Sequence, residues 1–139
     1  MHIPRRVSAR LPCAVALLAM AACSDGTGEL QAARDALAAE LPEPYFEDLV
    51  TESATLEGDH LVLLVRSPEG DADRTRGHPQ FELLRQAEQD AMRDLCSHPA
   101  LERLAGGDAV LVRRFVDRHG KIFFETTFPA RDCAPPHED

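Results

Sequence analysis

The chain has 139 residues, 24 acidic against 15 basic side chains and a formal net charge of −9, with 44% hydrophobic residues. That much negative charge repels the phosphates of nucleic acid and anionic lipid headgroups, so neither is an expected partner. The length suits one domain around a single core.

Taken from the start, Arg5, Arg6 and Arg10 precede an apolar run from Leu11 to Ala22 that ends in Ala19-Met20-Ala21-Ala22-Cys23. A basic start, a short apolar middle and a small-residue end form the layout of an export signal. The run of 12 residues is well short of the ~20 that cross a bilayer as a helix, so it reads as a signal and not a span. It closely resembles the signal peptide of a bacterial lipoprotein, in which Met20 to Cys23 is the lipobox and the cysteine sulfur carries the lipid. The resemblance implies that residues 1–22 are removed, that Cys23 is lipidated, and that the protein is anchored in a membrane of the cell envelope. In enteric-type lipoproteins a residue other than aspartate after the cysteine, here Ser24, implies the outer membrane, with the domain facing the periplasm. Ala19-Met20-Ala21 also fits ordinary signal cleavage, which would release a soluble protein. Arg5-Arg6 lacks the following apolar pair of a twin-arginine signal.

Loss of residues 1–22 takes three arginines and no acids, which leaves 12 basic against 24 acidic residues and a net charge of −12. The lipid on Cys23, rather than charge, then holds the protein at the membrane. Residues 23–28 are the anchor and a small polar tether, whose five residues after the cysteine extend at most ~18 Å. Cys13 leaves with the signal and Cys23 takes the lipid, so Cys96 and Cys133 remain as a pair in an oxidising space. A disulfide between them closes a loop of about 37 residues, for which the chain-entropy model gives roughly 3–4 kcal/mol.

The domain is expected over residues 29–133, with 134–139 a loose polar tail. Glu29 to Leu41 reads as a helix, with Leu30, Ala33, Leu37 and Leu41 on one face and Pro42 as its stop. Val50 to Leu56 and Leu61 to Val65 read as a hairpin around Gly58-Asp59, placing Val50, Ala54, Leu56, Leu61, Leu63 and Val65 on one face. Val62 and Leu64 on the other face mark an interior strand. Ser67 to His78 is a polar loop with Pro68, Gly70 and Gly77, long enough to be a contact surface. Pro79 to Cys96 is the strongest helical pattern, with Phe81, Leu84, Ala87, Ala91 and Leu95 along one side. Pro99 to Leu104 is a further helical turn stopped by Gly106-Gly107. A last hairpin, Ala109 to Asp117 and Lys121 to Phe128, sets Phe115 against Phe124, Leu111 against Phe128, Arg113 against Thr126 and Arg114 against Glu125.

The order α-β-β-α-β-β predicts an α+β fold: a four-stranded, mainly antiparallel sheet from two hairpins, with helices on one face and one disulfide. A small disulfide-bonded α+β domain behind the lipobox at Cys23 resembles in its architecture the pilotin lipoproteins that escort secretion-system channels.

No GxSxG turn, HExxH helix or glycine-rich phosphate loop is present, so no enzyme and no cofactor are expected. Cys96, His98, Cys133 and His137 form the alternative of a zinc site, against which stand the one-residue gap between Cys96 and His98 and an oxidising envelope. Asp71-x-Asp73 is a fragment of a calcium loop without its later glycine and glutamate, and reads as a solvated charge run. Arg113 on the core face, opposite Thr126, is a candidate for binding a buried carboxylate or an anionic ligand, against which stands an edge position or a one-residue shift of register that puts it in water; Tyr45-Phe46 is a candidate for a partner anchor or a cap on the core. The leading expectation is a lipid-anchored, non-enzymatic envelope protein that binds or assists assembly of a protein partner. The alternatives are a periplasmic inhibitor or immunity-type protein using its acidic surface, and a metal- or ligand-binding module.

Overall fold

The protein is described here by a computed structural model of residues 26–134. The signal segment, Cys23 and His137 lie outside the described residues.

Helix α1 (Gly26–Ala39) buries Leu30, Ala33 and Leu37, the stripe expected from the sequence. It starts at Gly26, inside the stretch read as tether. A two-residue strand β1 (Glu43–Pro44) follows, then β2 (Val50–Glu57) and β3 (His60–Arg66). The hairpin turn falls where expected, with Glu57 opposite His60, and Gly58 takes the left-handed φ of 62° that such a two-residue loop requires. Ala54 and Leu56 face Leu63 and Leu61 as the alternation predicts. A bulge between Thr51 and Ser53 then slips the register by one, setting Thr51 opposite Val65 and Val50 opposite Arg66. Thr51, not Val50, is therefore buried beside the core, because one inserted residue exchanges the faces of everything beyond it.

The polar segment 67–78 is not all loop. It holds helix α2 (Ala72–Arg76), capped by the Asp71 carboxylate, which accepts from the Arg74 amide at 2.9 Å. The long helical pattern after Pro79 divides into α3 (Phe81–Ala91) and a tighter 3₁₀ segment over Met92–Ser97. Only the second part is buried, through Met92 and Leu95, whereas α3 has no buried residue. A second 3₁₀ segment, Pro99–Leu104, buries Leu101 and Leu104. The last hairpin pairs β4 (Val110–Val116) with β5 (Ile122–Pro129) in the expected register, including Arg113 opposite Thr126 and Phe115 opposite Phe124.

The fold is a small α+β domain with one disulfide, but the sheet corrects the sequence reading in two respects. It has five strands in the order β1-β2-β3-β4-β5, and the central pair β3–β4 is parallel. The first difference is the edge pairing of Glu43 and Pro44 with Thr51 and Val50, too short for any alternation pattern and of the kind an edge proline tolerates. The second follows from the connection: the chain leaves β3 at Arg66, crosses through α2, α3 and the 3₁₀ segments, and re-enters at Val110. A crossover of more than about a dozen residues carries the chain back along the sheet, which is the condition for parallel pairing.

The main core lies between α1, the two 3₁₀ segments and the inner sheet face, and is built from Leu30, Leu37, Leu61, Leu63, Met92 and Leu111 with their neighbours. A smaller cluster of Val65, Ala72, Phe115 and Phe123 fills the far end of the sheet. The start of α1 sits beside the β2–β3 turn and Asp108, so it shares an end with the start of β4, whose Val110 amide donates to the Asp59 carbonyl at 3.0 Å. The smaller cluster lies at the opposite end.

Candidate functional site

The chain contains six phenylalanines and one tyrosine, and all except Phe128 gather at the end of the sheet away from α1's start. Phe115 and Phe124 are stacked across β4 and β5, with ring centroids 4.6 Å apart and planes at 21°. Tyr45 meets Phe115 edge-on at 6.0 Å, and Phe81 of α3 meets Phe124 edge-on at 5.7 Å. Such pairs each add ~0.5–1.5 kcal/mol beyond the area they bury. Beside them opens a cavity of about 200 Å³ lined by Phe46, Leu49, Leu84, Phe115, Phe123 and Phe124.

Its lip is apolar and faces water. Phe46 is 63% exposed, Leu84 44%, and Leu83 next to it on α3 70%. Phe46 is presented by a tight turn in which the Leu49 amide donates to the Phe46 carbonyl at 2.9 Å and Glu47 holds a left-handed φ of 51°. That conformation is unfavourable for a non-glycine residue by ~1–2 kcal/mol and is tolerated only where the surroundings enforce it. Glu47, Asp48 and Glu88 complete the lining, giving the apolar groove an acidic border.

One phenol ties the site together. Tyr45 Oη donates to Glu88 Oε2 at 2.5 Å and accepts from Arg113 Nη1 at 3.0 Å, while the Arg113 guanidinium lies 4.8 Å from the Tyr45 ring centroid. Burial and the bond to Glu88 push the Tyr45 hydroxyl well above its ordinary pKa of 10.0, against the opposing pull of Arg113, so it stays a proton donor. Arg113, 9% exposed, is on the core face where the sequence put it. Its use is to hold Tyr45, and through Tyr45 to hold α3. The sequence alternatives for Tyr45 and Phe46 are thus divided between the two residues, Tyr45 capping the core and Phe46 standing out as an exposed aromatic.

Cys96 and Cys133 form the disulfide, with Cα atoms 5.2 Å apart. A zinc site would need both sulfurs as thiolates, and here they are bonded to each other. His98 lies beside them but uses Nδ1 to accept from the Ala100 amide and sets Nε2 3.2 Å from Glu40 Oε2. Among the described residues no cluster of three His, Cys, Asp or Glu has metal-holding geometry. Asp71 and Asp73 separate: Asp71 caps α2, and Asp73 accepts from Lys121 Nζ at 2.7 and 2.8 Å.

Sequence reasoning missed Asp117. This buried carboxylate accepts from three backbone amides, Ala72 at 3.0 Å, His119 at 2.8 Å and Lys121 at 2.9 Å. It fixes the β4–β5 turn and fastens α2 to it. The available signal was an aspartate directly before a His-Gly turn, where such side chains bind backbone amides two to four residues on. The aromatic cluster left no comparable trace, since its members are spread from residue 45 to 124.

No protein-family model matches the chain, and no curated protein matches it in sequence. Solved structures do share its fold. A candidate secreted protein from Pseudomonas aeruginosa superposes with a TM-score of 0.55 at 20% identity, over 78% of this chain and 93% of the other. The pilotin EpsS of the type 2 secretion system of Vibrio vulnificus superposes with a TM-score of 0.51 at 16% identity, over 79% and 96%. At such identities the likeness is one of fold.

Proposed function

We propose that this chain is a non-enzymatic, lipid-anchored protein of the bacterial envelope that binds a protein partner through the aromatic groove and assists its assembly, in the manner of a pilotin. The observation that carries the reading is the groove itself: six of the seven aromatic side chains converge on one end of the domain, and instead of being closed over they leave Phe46, Leu83 and Leu84 in water. A small acidic protein has reason to keep such a patch only where another surface covers it. The kinship of fold with EpsS supports the same role. The lipobox supports an anchor on Cys23, and Ser24 supports the outer membrane, facing the periplasm.

The test is site-specific photo-crosslinking in the native host. A photoreactive residue at Leu84 is expected to capture one envelope protein, and the same residue at Glu125, on the other sheet face, is not. The Phe46→Asp variant should abolish capture, and deletion of this chain should leave the captured protein unassembled or misplaced. Equal capture from both positions, or normal assembly without this chain, would refute the role. Intact mass spectrometry of the membrane-extracted protein tests the anchor: acylated Cys23 supports it, and an unlipidated chain beginning at Ala22 excludes it.

A further inference from the structure

A second cavity, of about 470 Å³, lies beside the aromatic groove, in the crossover between β3 and α3. It is polar, and Arg74, Arg118 and His78 line it together with Glu69, Gly70 and Asp71. The two cavities are neighbours. Thr75 lines both, and Gly70 of the second is wedged against Ser67 and Phe123 of the first, so closely that an added Cβ would come within 2.8 Å of the Phe123 ring.

The cations here differ from those elsewhere on the molecule. Eight of the ten other Arg and Lys side chains of residues 26–134 are occupied: Arg34, Arg66, Arg85, Arg114 and Lys121 by carboxylates, Arg76 by backbone carbonyls, and Arg93 and Arg113 by aromatic rings. Among the described residues, Arg74, Arg103, Arg118 and Arg131 have no carboxylate, carbonyl or ring partner, and two of these four face the same cavity. Arg118 has only the His119 imidazole, at 3.0 Å. In a chain with twice as many acids as bases after processing, acids are plentiful, yet this pair of guanidinium groups is left free. Asp71 in the same cavity is engaged as the α2 cap, which leaves Glu69 as the lining acid that competes for them.

We infer that the polar cavity is the end of the same docking site and takes a carboxylate side chain of the partner: an Asp or Glu next to the apolar residues seated in the groove, gripped by Arg74 and Arg118. This rests on the groove reading above and deepens it. The partner segment has a polarity of its own, basic where it passes Glu47 and Asp48, apolar through the groove, acidic at Arg74 and Arg118.

Fluorescence anisotropy with the processed, detergent-solubilised protein tests this. The probes are an N-terminally labelled Lys-Lys-Leu-Leu-Ala-Leu-Leu-Glu amide, its twin ending in glutamine amide, and a third ending in glutamine with a free carboxyl terminus. The glutamate peptide is expected to bind roughly tenfold more tightly than its glutamine twin. Arg74→Gln/Arg118→Gln should erase that difference while leaving the twin's affinity unchanged, and Glu69→Gln should tighten the glutamate peptide alone. Phe46→Asp should weaken both. Equal affinities in the unaltered protein would overturn the carboxylate pocket while the groove stands. Absence of binding by every peptide would overturn groove and pocket together. Tighter binding of the free-terminus peptide than of the glutamate amide would overturn the side-chain assignment.

Discussion

The hydroxyl of Tyr45 donates to the carboxylate of Glu88 at 2.5 Å, and this bond spans the loop after β1 and the middle of α3, a helix with no buried residue of its own. Because α3 has little core to hold it, its position depends on this contact, on the Phe81–Phe124 edge and on the Gln89 side chain, which donates to the Thr127 carbonyl at 2.8 Å. Tyr45→Phe keeps the ring against Phe115 and beneath Arg113 but removes both hydrogen bonds. We expect a loss of about 1–2 kcal/mol, measured by urea unfolding. Hydrogen exchange should accelerate in α3 well beyond β3, which a purely global effect would not produce.

Tyr45 also gives an alkaline signature. Its hydroxyl titrates above the ordinary 10.0 in the folded protein, so above that pH the unfolded chain loses a proton the folded chain retains. Stability is therefore full below pH 10 and falls as the pH rises beyond it. Tyr45→Phe should flatten this fall in a series of unfolding curves at increasing pH.

Asp117 gives the opposite signature. Burial raises its pKa, but the amides of Ala72, Lys121 and His119 outweigh that and hold it below the usual carboxyl value. The folded state thus favours the ionised form: the contribution is present above the unfolded pKa and lost as the pH falls through the folded one. Asp117→Asn, which offers one acceptor oxygen in place of two, should lower the melting temperature at neutral pH and narrow the gap between neutral and acidic stability.

Phe46 and Leu61 should separate function from folding. Leu61 is almost fully buried in the main core, and Leu61→Ala is expected to cost about 2–5 kcal/mol. Phe46→Ser, at an exposed site, should change stability by less than about 0.5 kcal/mol and still abolish crosslinking from Leu84. A Phe46→Ser protein as unstable as Leu61→Ala would mark the ring as part of the core.

Reduction of the Cys96–Cys133 bridge, which closes a 37-residue separation, should lower stability by roughly 3–4 kcal/mol. Unfolding in urea with and without a reductant, compared with Cys96→Ala/Cys133→Ala, measures it. Equal stability of oxidised and reduced protein would contradict the assignment.

The parts of the fold that were legible in the chain are those encoded locally. The α1 stripe, both hairpin turns and the β4–β5 register follow from spacing and turn residues alone, and the Arg114–Glu125 pairing at 2.5 Å lies where alternation puts it. What escaped depends on distant segments meeting. The bulge at Thr51/Ser53 has no local signal, and the parallel β3–β4 pairing follows from the path of the long crossover between them, which no turn residue encodes. The apolar side of the helix carrying Phe81, Leu84 and Ala87 is visible in the spacing, yet Leu84 borders a groove: periodicity reports that a face is apolar, not that the protein covers it. The groove's members come from the loop after β1, α2, α3, β4 and β5, so only the folded chain displays them together.

The parallel alignment of β3 and β4 also sets the aromatic groove apart from the start of α1 at Gly26. Seven residues of β4 span roughly 23 Å at ~3.3 Å per residue, and the chain enters the domain at one end of that distance while the groove opens at the other. The groove is thus held at the tip of the domain, about a strand's length from Gly26. Whatever holds the residues before Gly26 therefore acts at one end of the sheet, and whatever fills the groove acts at the other.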